Sequence, residues 1–309
     1  MKLKTKDLLT LAELTPKEFA GLIDYSIKLK KELKSENKPL LKNKTLLKNK
    51  TLTMIFQKPS TRTRVSFEVA MFQLGGHAVN LSSNEMQLSR GESIEDTAKT
   101  LSRYTNCIMA RVYDHSLLEK LSQSSSIPVI NGLSDSFHPC QILADFMTIK
   151  EKKGSLKGLK IAWIGDGNNV CNSMIYGCAL SGVSISVATP KGFEPDAKVV
   201  AESKKLTSME LTTDPLIAIK NADVVITDTF TSIHTNDPKR IKKFLPQFQV
   251  NEKLMNHAKK NAIFMHCLPA KRDHEVTSSV IDGPQSVVWD EAENRLHTQK
   301  ALLASIIRA

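Results

Sequence analysis

Apolar positions along this chain alternate between two textures: runs of four to six apolar or β-branched residues, and longer stretches with apolar positions three and four apart. The helical stretch with the strongest start opens at Thr15-Pro16-Lys17-Glu18, where a capping threonine, a proline at the first helical position and a glutamate three after the cap coincide. That pattern predicts a helix to about Lys34. Leu41–Leu46 is then repeated at once as Leu47–Leu52, and this short tandem reads as a lengthened loop without chemistry of its own. Strands are predicted over Leu52–Phe56, Ala78–Leu81, Cys107–Arg111 and Pro128–Asn131, with helical patterns between them and another over Ile142–Lys150.

Between Ile149 and Lys160 the composition shifts to lysine, glycine and serine, which suggests a domain boundary. A second series follows, with strands expected near Lys160–Ile164, Ser184–Ala188, Val224–Thr227, Ala262–His266 and Ser286–Trp289. Strands alternating with helices argue for an α/β chain of two domains, residues 1–150 and 151–309, each a parallel sheet flanked by helices. Glu291–Ala309 reads as a helix, and its terminal part, about 292–309, is expected to cross back to the first domain.

The 309 residues are 41% hydrophobic and 24% charged, the balance of a water-soluble globular protein. No run approaches the roughly 18 apolar residues needed to span a bilayer, so no membrane partner is expected. Met1–Asp7 is charged and leads into no apolar signal core. Asp7, Glu13 and the lack of arginine before Arg62 do not suit a mitochondrial presequence, so a cytoplasmic protein is expected. A net charge of +11 raises the question of nucleic acid. With four tyrosines, two tryptophans and no nucleic-acid-binding spacing, the charge reads as a solvated lysine surface that attracts anionic substrates. The five cysteines are scattered and include no Cys-x-x-Cys pair, so neither a disulfide framework nor a zinc site is expected.

Candidate chemistry concentrates after the first strand, in Ser60-Thr61-Arg62-Thr63-Arg64. Only nine of the 43 basic residues are arginine, and none precedes Arg62. Where lysine is the default cation, arginine suggests a planar, bidentate donor. A plain capped helix start would also carry a Ser-Thr pair. Hydroxyls and guanidinium groups packed into five residues at a helix start point instead to a small, multiply charged anion such as phosphate.

Other polar groups fall at strand ends or before helices. Arg111 ends a strand, Gln87 and Arg90 occupy a polar loop, and His138-Pro139-Cys140-Gln141 precedes a helix, where histidine can donate to a carbonyl oxygen as charge builds. Gly165-Asp166-Gly167-Asn168-Asn169 follows a strand, but the third glycine and the ribose-binding acid of a dinucleotide site are missing. Its asparagines can cap the next helix or bind a carboxylate or amine. Asp228 puts a carboxylate where a cationic amine could bind, and His266-Cys267-Leu268-Pro269 lacks metal-ligand spacing.

Ser60-Thr61-Arg62-Thr63-Arg64, His138-Pro139-Cys140-Gln141 and His266-Cys267-Leu268-Pro269 together resemble the aspartate/ornithine carbamoyltransferase family, in the family's order and over essentially the whole chain. The cysteines of the second and third motifs resemble the ornithine branch. The resemblance implies transfer of the carbamoyl group of carbamoyl phosphate to the side-chain amine of L-ornithine, without metal or organic cofactor. It implies that Ser60, Thr61, Arg62 and Thr63 hold the phosphate, with Arg295 a further contact. Arg111 and His138 would polarise the carbonyl, and Gln141 would bind the carbamoyl amide. Gln87 would reach a neighbouring subunit's site in a homotrimer or multiple of trimers. Asn169, Asp228 and Ser232, with Ile233 beside them, would bind ornithine, and Cys267 and Leu268 would lie by the reacting amine. The family's loop commonly reads Ser-Met-Gly where this chain has Ser232-Ile233-His234; losing glycine removes backbone freedom and His234 adds a titratable group. An acceptor such as N-acetylornithine or putrescine, or a binding protein without catalysis, stays open on the residues alone.

Overall fold

The central strands are short, nearly continuous apolar runs, and Leu52–Phe56 and Ile161–Ile164 are buried throughout. Strands of that kind need cover on both faces, which parallel sheets flanked by helices provide. The computed structural model describes residues 1–34, 45–231 and 238–307. It divides into two compact units, Met1–Met147 with Glu293–Ala309, and Thr148–Ala292.

The first unit runs α1 (Pro16–Lys34), β1 (Thr51–Phe56), α2 (Thr61–Gln73), β2 (His77–Ser82), α3 (Ile94–Tyr104), β3 (Cys107–Arg111), α4 (His115–Ser124), β4 (Val129–Leu133) and α5 (Pro139–Lys153), which continues into the second unit. The capping box is formed: Thr15 N and Oγ1 donate to Glu18 Oε2 at 3.0 and 2.7 Å, and Glu18 N donates to Thr15 Oγ1 at 3.2 Å. Among the described residues the sheet has the order β2-β1-β3-β4, all parallel. The chain therefore starts in the middle, steps one way to β2 and returns to the other side at β3. One layer of core lies over this sheet, with Ile55, Ile108, Ala110 and Val129 packed against Ala98, Leu118 and Leu121.

The second unit runs β5 (Lys160–Ile164), α6 (Asn169–Ser181), β6 (Ser184–Ala188), α7 (Ala197–Ser203), β7 (Met209–Thr212), α8 (Pro215–Ile219), β8 (Val224–Ile226), α9 (Pro238–Phe244), α10 (Glu252–Met255), β9 (Ile263–Met265), α11 (Ser278–Ile281) and α12 (Val288–Ile306). The order β7-β6-β5-β8-β9 is again all parallel and again reverses, here between β5 and β8. Phe230, Phe244, Phe248 and Phe264 form an aromatic group in its core, with Phe230 stacked on Phe244 at 4.5 Å between centroids.

Two features differ from the sequence expectation. The strand expected at Ser286–Trp289 is a single bridge, Ser286 to Phe264, after which α12 begins at Val288. Asp290 and Glu291 fall in that helix's first turn, where negative charge is favoured. Strand β7, Met209–Thr212, was not expected; its two central residues are exposed, as an edge position allows.

The last helix leaves the second unit at Ala292 and packs in the first from Glu293 on. There Lys30 Nζ donates to Asn294 Oδ1 at 2.7 Å, and Leu3 N donates to Ser305 O at 3.2 Å. Among the described residues no helix is long and apolar enough to cross a membrane.

Candidate active-site residues

In an open parallel sheet, the crevice where strand order reverses is bounded by loops leaving the carboxyl ends of two neighbouring strands, and ligands bind there. In the first unit those strands are β1 and β3. The loop after β1 leads to Ser60, the N-cap of α2, whose Oγ accepts from Thr63 N at 3.4 Å. Thr61, Arg62 and Thr63 form the helix's first turn, where unpaired N–H groups and the helix dipole favour an anion. The two arginines of the motif part company. Arg62 is half-buried, whereas Arg64 is exposed and bonded through Nε to Glu68 at 3.0 Å.

β3 ends at Arg111, where the pairing with β4 slips so that Ala110 faces Asn131 but Arg111 faces Leu133. Such a bulge re-aims the side chain at a strand end. Lys58, which the sequence did not single out, is buried beside it, its Nζ 4.2 Å from the centroid of the Tyr113 ring. Burial, and then the charge of Arg111, push the Lys58 ammonium down to about 8, with Asp135 opposing.

His138 and Gln141 are buried at the start of α5, with Gln141 N donating to His138 O at 3.1 Å. Arg295 of α12 donates from Nη1 to Gln141 Oε1 at 2.7 Å and from Nη2 to Thr63 Oγ1 at 3.3 Å. Gln141 Nε2 donates in turn to Asp145 Oδ1, one helical turn on, at 2.8 Å. Burial holds the His138 imidazole well below its ordinary pKa, and the charges of Arg295 and Arg111 add to this, so the ring is neutral near pH 7. Gln87 lies apart from this set. It is exposed in a 3-10 turn, Gln87–Arg90, and among the described residues its side chain bonds none of the others named here.

In the second unit the reversal falls between β5 and β8. Trp163 is fully buried and its Nε1 donates to Asp166 O at 2.9 Å, which anchors the turn after β5. Gly165 has φ +132, and a Cβ there would stand 3.0 Å from the Phe230 ring. Asn168 takes the capping role, and its amide nitrogen is bonded within the chain. Its Oδ1 caps α6 through Val170 N and Cys171 N at 3.0 and 3.1 Å, and its Nδ2 donates to Asp228 Oδ2 at 2.7 Å. Asn169 Oδ1 accepts from Val170 N at 3.0 Å. Cys267 Sγ donates to the other oxygen of Asp228 at 3.2 Å. Asn168, Asp228 and Cys267 thus form one hydrogen-bonded line across the ends of β5, β8 and β9.

Arg240 ties the same loops from behind. It bonds Asp166 and donates from Nε to Phe230 O at 2.7 Å, with its guanidinium 4.6 Å from the Phe193 ring centroid. Burial pushes the Asp166 carboxyl up to about 6; Arg240 opposes this and nearby Asp228 adds to it. Ser232 and Ile233 lie outside the described residues.

His266 is structural. Its Nδ1 accepts from Leu268 N at 2.9 Å, so Nε2 carries the proton toward Glu275 Oε1 at 3.1 Å. That contact supports Leu268 at φ +56, a conformation costing a non-glycine residue about 1 kcal/mol or more. Asp228, His266 and Cys267 bring three possible metal-ligating atoms within 4.8 Å of one another, which sequence spacing did not reveal. Both ring nitrogens of His266 are already engaged, so the donor set does not suit a bound metal.

Two doubly wound units, each with a polar cluster at its strand reversal and the first with a helix start of the kind that favours an anion, define an α/β protein with two candidate binding crevices. Residues 6–151 match the carbamoyl-phosphate-binding domain of aspartate/ornithine carbamoyltransferases, and residues 157–306 match their aspartate/ornithine-binding domain. An ornithine carbamoyltransferase of Cenarchaeum symbiosum is 60% identical over 99% of both chains. An anabolic ornithine carbamoyltransferase of Pyrococcus furiosus is 52% identical over 99% of this chain and 98% of that one. A solved ornithine carbamoyltransferase structure from Pyrococcus furiosus superposes with a TM-score of 0.91 at 53% identity, covering 97% of this chain and 96% of the other. The chain belongs to the aspartate/ornithine carbamoyltransferase family.

Proposed function

We propose that this chain transfers the carbamoyl group of carbamoyl phosphate to the side-chain amine of L-ornithine, giving L-citrulline and phosphate. The observation that carries the reading is the Thr63–Arg295–Gln141 set behind the helix start at Ser60, a fitted cradle for a phosphate bearing an amide. Ser60, Thr61, Arg62 and Thr63 hold the phosphate with Arg295. Arg111 and His138 face the carbonyl oxygen, and Gln141 takes the carbamoyl amide. Residues 1–150 serve as the carbamoyl-phosphate-binding domain and 151–309 as the ornithine-binding domain, with the helix from about 292 returning to the first.

Ornithine's amine loses its proton and attacks the carbamoyl carbon. A C–N bond forms as the C–O bond to phosphate breaks, the electron pair leaves with phosphate into the α2 cradle, and the extra proton on the attacking nitrogen passes to that phosphate, which departs as hydrogen phosphate. Charge on the oxygen is met by Arg111, Thr63 and neutral His138, donors each worth roughly 3 kcal/mol in comparable sites. Asn169, Asp228, Ser232 and Ile233 hold the amino-acid end of ornithine, while Cys267 and the Leu268 backbone lie by the reacting amine. Gln87, exposed on its turn, completes a neighbouring subunit's site in a homotrimer or multiple of trimers. The chain works in the cytoplasm, in arginine biosynthesis, a direction supported by the anabolic relative.

Ureido-product formation from carbamoyl phosphate tests this, with ornithine, N-acetylornithine, putrescine and aspartate offered in parallel. Citrulline from ornithine alone is expected. Turnover of another amine would overturn the acceptor, and no product from any would overturn the activity.

A further inference from the structure

Gln141 lies between two groups of opposite and fixed character. Arginine can only donate hydrogen bonds, a carboxylate can only accept them, and an amide offers one end of each kind. Arg295 Nη1 meets one end at 2.7 Å and Asp145 Oδ1 meets the other at 2.8 Å. The neighbours' chemistry therefore decides which end is oxygen, independently of how the amide is drawn. Gln141 and Asp145 are each 1% exposed and Arg295 is 3% exposed, so water does not compete for these bonds. The oxygen end faces Arg295, which also reaches Thr63 in the first turn of α2. The nitrogen end is tied back along α5.

We propose that Asp145 is a positioning residue, fixing Gln141 Oε1 as an acceptor for the transferred group and so selecting a carbamoyl phosphate over an acyl phosphate of the same shape. The inference rests on the reading of Gln141 as the carbamoyl-amide contact. A carbamoyl NH2 satisfies the fixed oxygen. Acetyl phosphate brings a methyl group to the same place and forfeits that added bond, leaving Gln141 Oε1 only the partners it holds without substrate, Arg295 among them. Without Asp145 the amide nitrogen loses its bond to that carboxylate, and the amide is less hindered from turning to present N–H to the carbamoyl N–H. Arg295 opposes the turn, so the expected loss of selectivity is partial.

The test measures KM for carbamoyl phosphate and the inhibition constants of acetyl phosphate and inorganic phosphate, at saturating ornithine. In Asp145→Leu the ratio of the acetyl phosphate constant to that KM should fall roughly tenfold, while inorganic phosphate, which makes no amide contact, should bind unchanged. Asp145→Asn, which keeps an acceptor oxygen, should retain the ratio. An unchanged ratio in Asp145→Leu would overturn the proposal, as would an equal fall in both variants or a parallel loss of inorganic phosphate binding. Asp145→Ser, too short to reach the amide, replaces the leucine variant if that chain does not fold. Failure of the unmodified chain to make citrulline would defeat the functional reading instead, and the two failures are thereby distinguished.

Discussion

Arg295 reaches two residues far from it in the chain: Nη1 bonds Gln141, 154 positions earlier, and Nη2 bonds Thr63, 232 positions earlier. One guanidinium thus joins the last helix, α5 and the first turn of α2. A lysine cannot reproduce that fork. Arg295→Lys should lower kcat/KM for carbamoyl phosphate by roughly 100-fold, the scale of losing one preorganised donor. Steady-state kinetics check this, with circular dichroism to establish that the fold survives.

The two arginines of the α2 motif should behave differently. Arg62→Ala is expected to reduce turnover by roughly 100- to 1,000-fold. Arg64 is exposed and spends its charge on Glu68, also exposed, and surface pairs of that kind contribute only about 0–1 kcal/mol. Activity in Arg64→Ala should stay near that of the unmodified chain. Equal losses in both variants would contradict the separation seen in the fold.

Asp228 receives Asn168 on one oxygen and Cys267 on the other. Asp228→Asn keeps the shape, removes the charge, and sets a donor NH2 against one of the two donors, Asn168 Nδ2 or Cys267 Sγ. The KM for ornithine should rise by roughly tenfold or more while that for carbamoyl phosphate holds, since removing a charged hydrogen-bonding partner typically costs 1.5–3 kcal/mol as an order-of-magnitude figure. A matched rise in both constants would argue for general distortion.

Activity should climb with pH into the alkaline range, because an ornithine amine must be neutral to attack and is mostly protonated near neutrality. His138, held well below its ordinary pKa, is already neutral at the start of that climb. The profile of kcat/KM for ornithine should therefore show no histidine inflection between about pH 6 and 9. A break near 6.5 that vanishes in His138→Gln would contradict the neutral-imidazole arrangement.

Glu13 carries a stability signature. Its carboxylate accepts from Leu9 N at 2.7 Å, yet burial pushes its pKa up to about 7. The folded state then binds more protons than the unfolded chain between the ordinary glutamate value and about 7, so stability falls as pH rises through that window. Glu13→Gln lacks this loss. The difference in Tm between variant and parent should grow in the variant's favour from pH 5 to 7 and flatten above it.

Much of this was legible in the sequence because the signals were strong and local. The capping box at Thr15, the apolar runs of β1 and β5, and the hydroxyl–arginine cluster each declare themselves within a few residues. The edge strand Met209–Thr212 did not, because a strand with exposed central residues lacks the buried apolar run used to find the others. Ser286–Trp289 looked like a strand for the opposite reason: two valines and a tryptophan have high β-propensity, but acids in the next positions favoured a helix start. Lys58 and Asp145 escaped notice because burial of a charged side chain is a property of the assembled fold. The Gln141–Asp145 spacing of four on one helix was the available clue. The capping role of Asn168 is open to a local reading, whereas its bond to Asp228 joins residues 60 positions apart and needs the assembled sheet.

The closing of the first unit by the last helix gives synthesis itself a part in making the site. While the ribosome is still producing the second unit, α2 and its hydroxyls can already exist, but the guanidinium that joins Thr63 to Gln141 does not. That link exists only once α12, Val288–Ile306, has been made. A chain that stops short of α12 lacks Arg295 and with it the bonds that join Thr63 to Gln141. The bonds that Arg295 makes span 154 and 232 positions, and contacts of such high sequence separation form late and slowly.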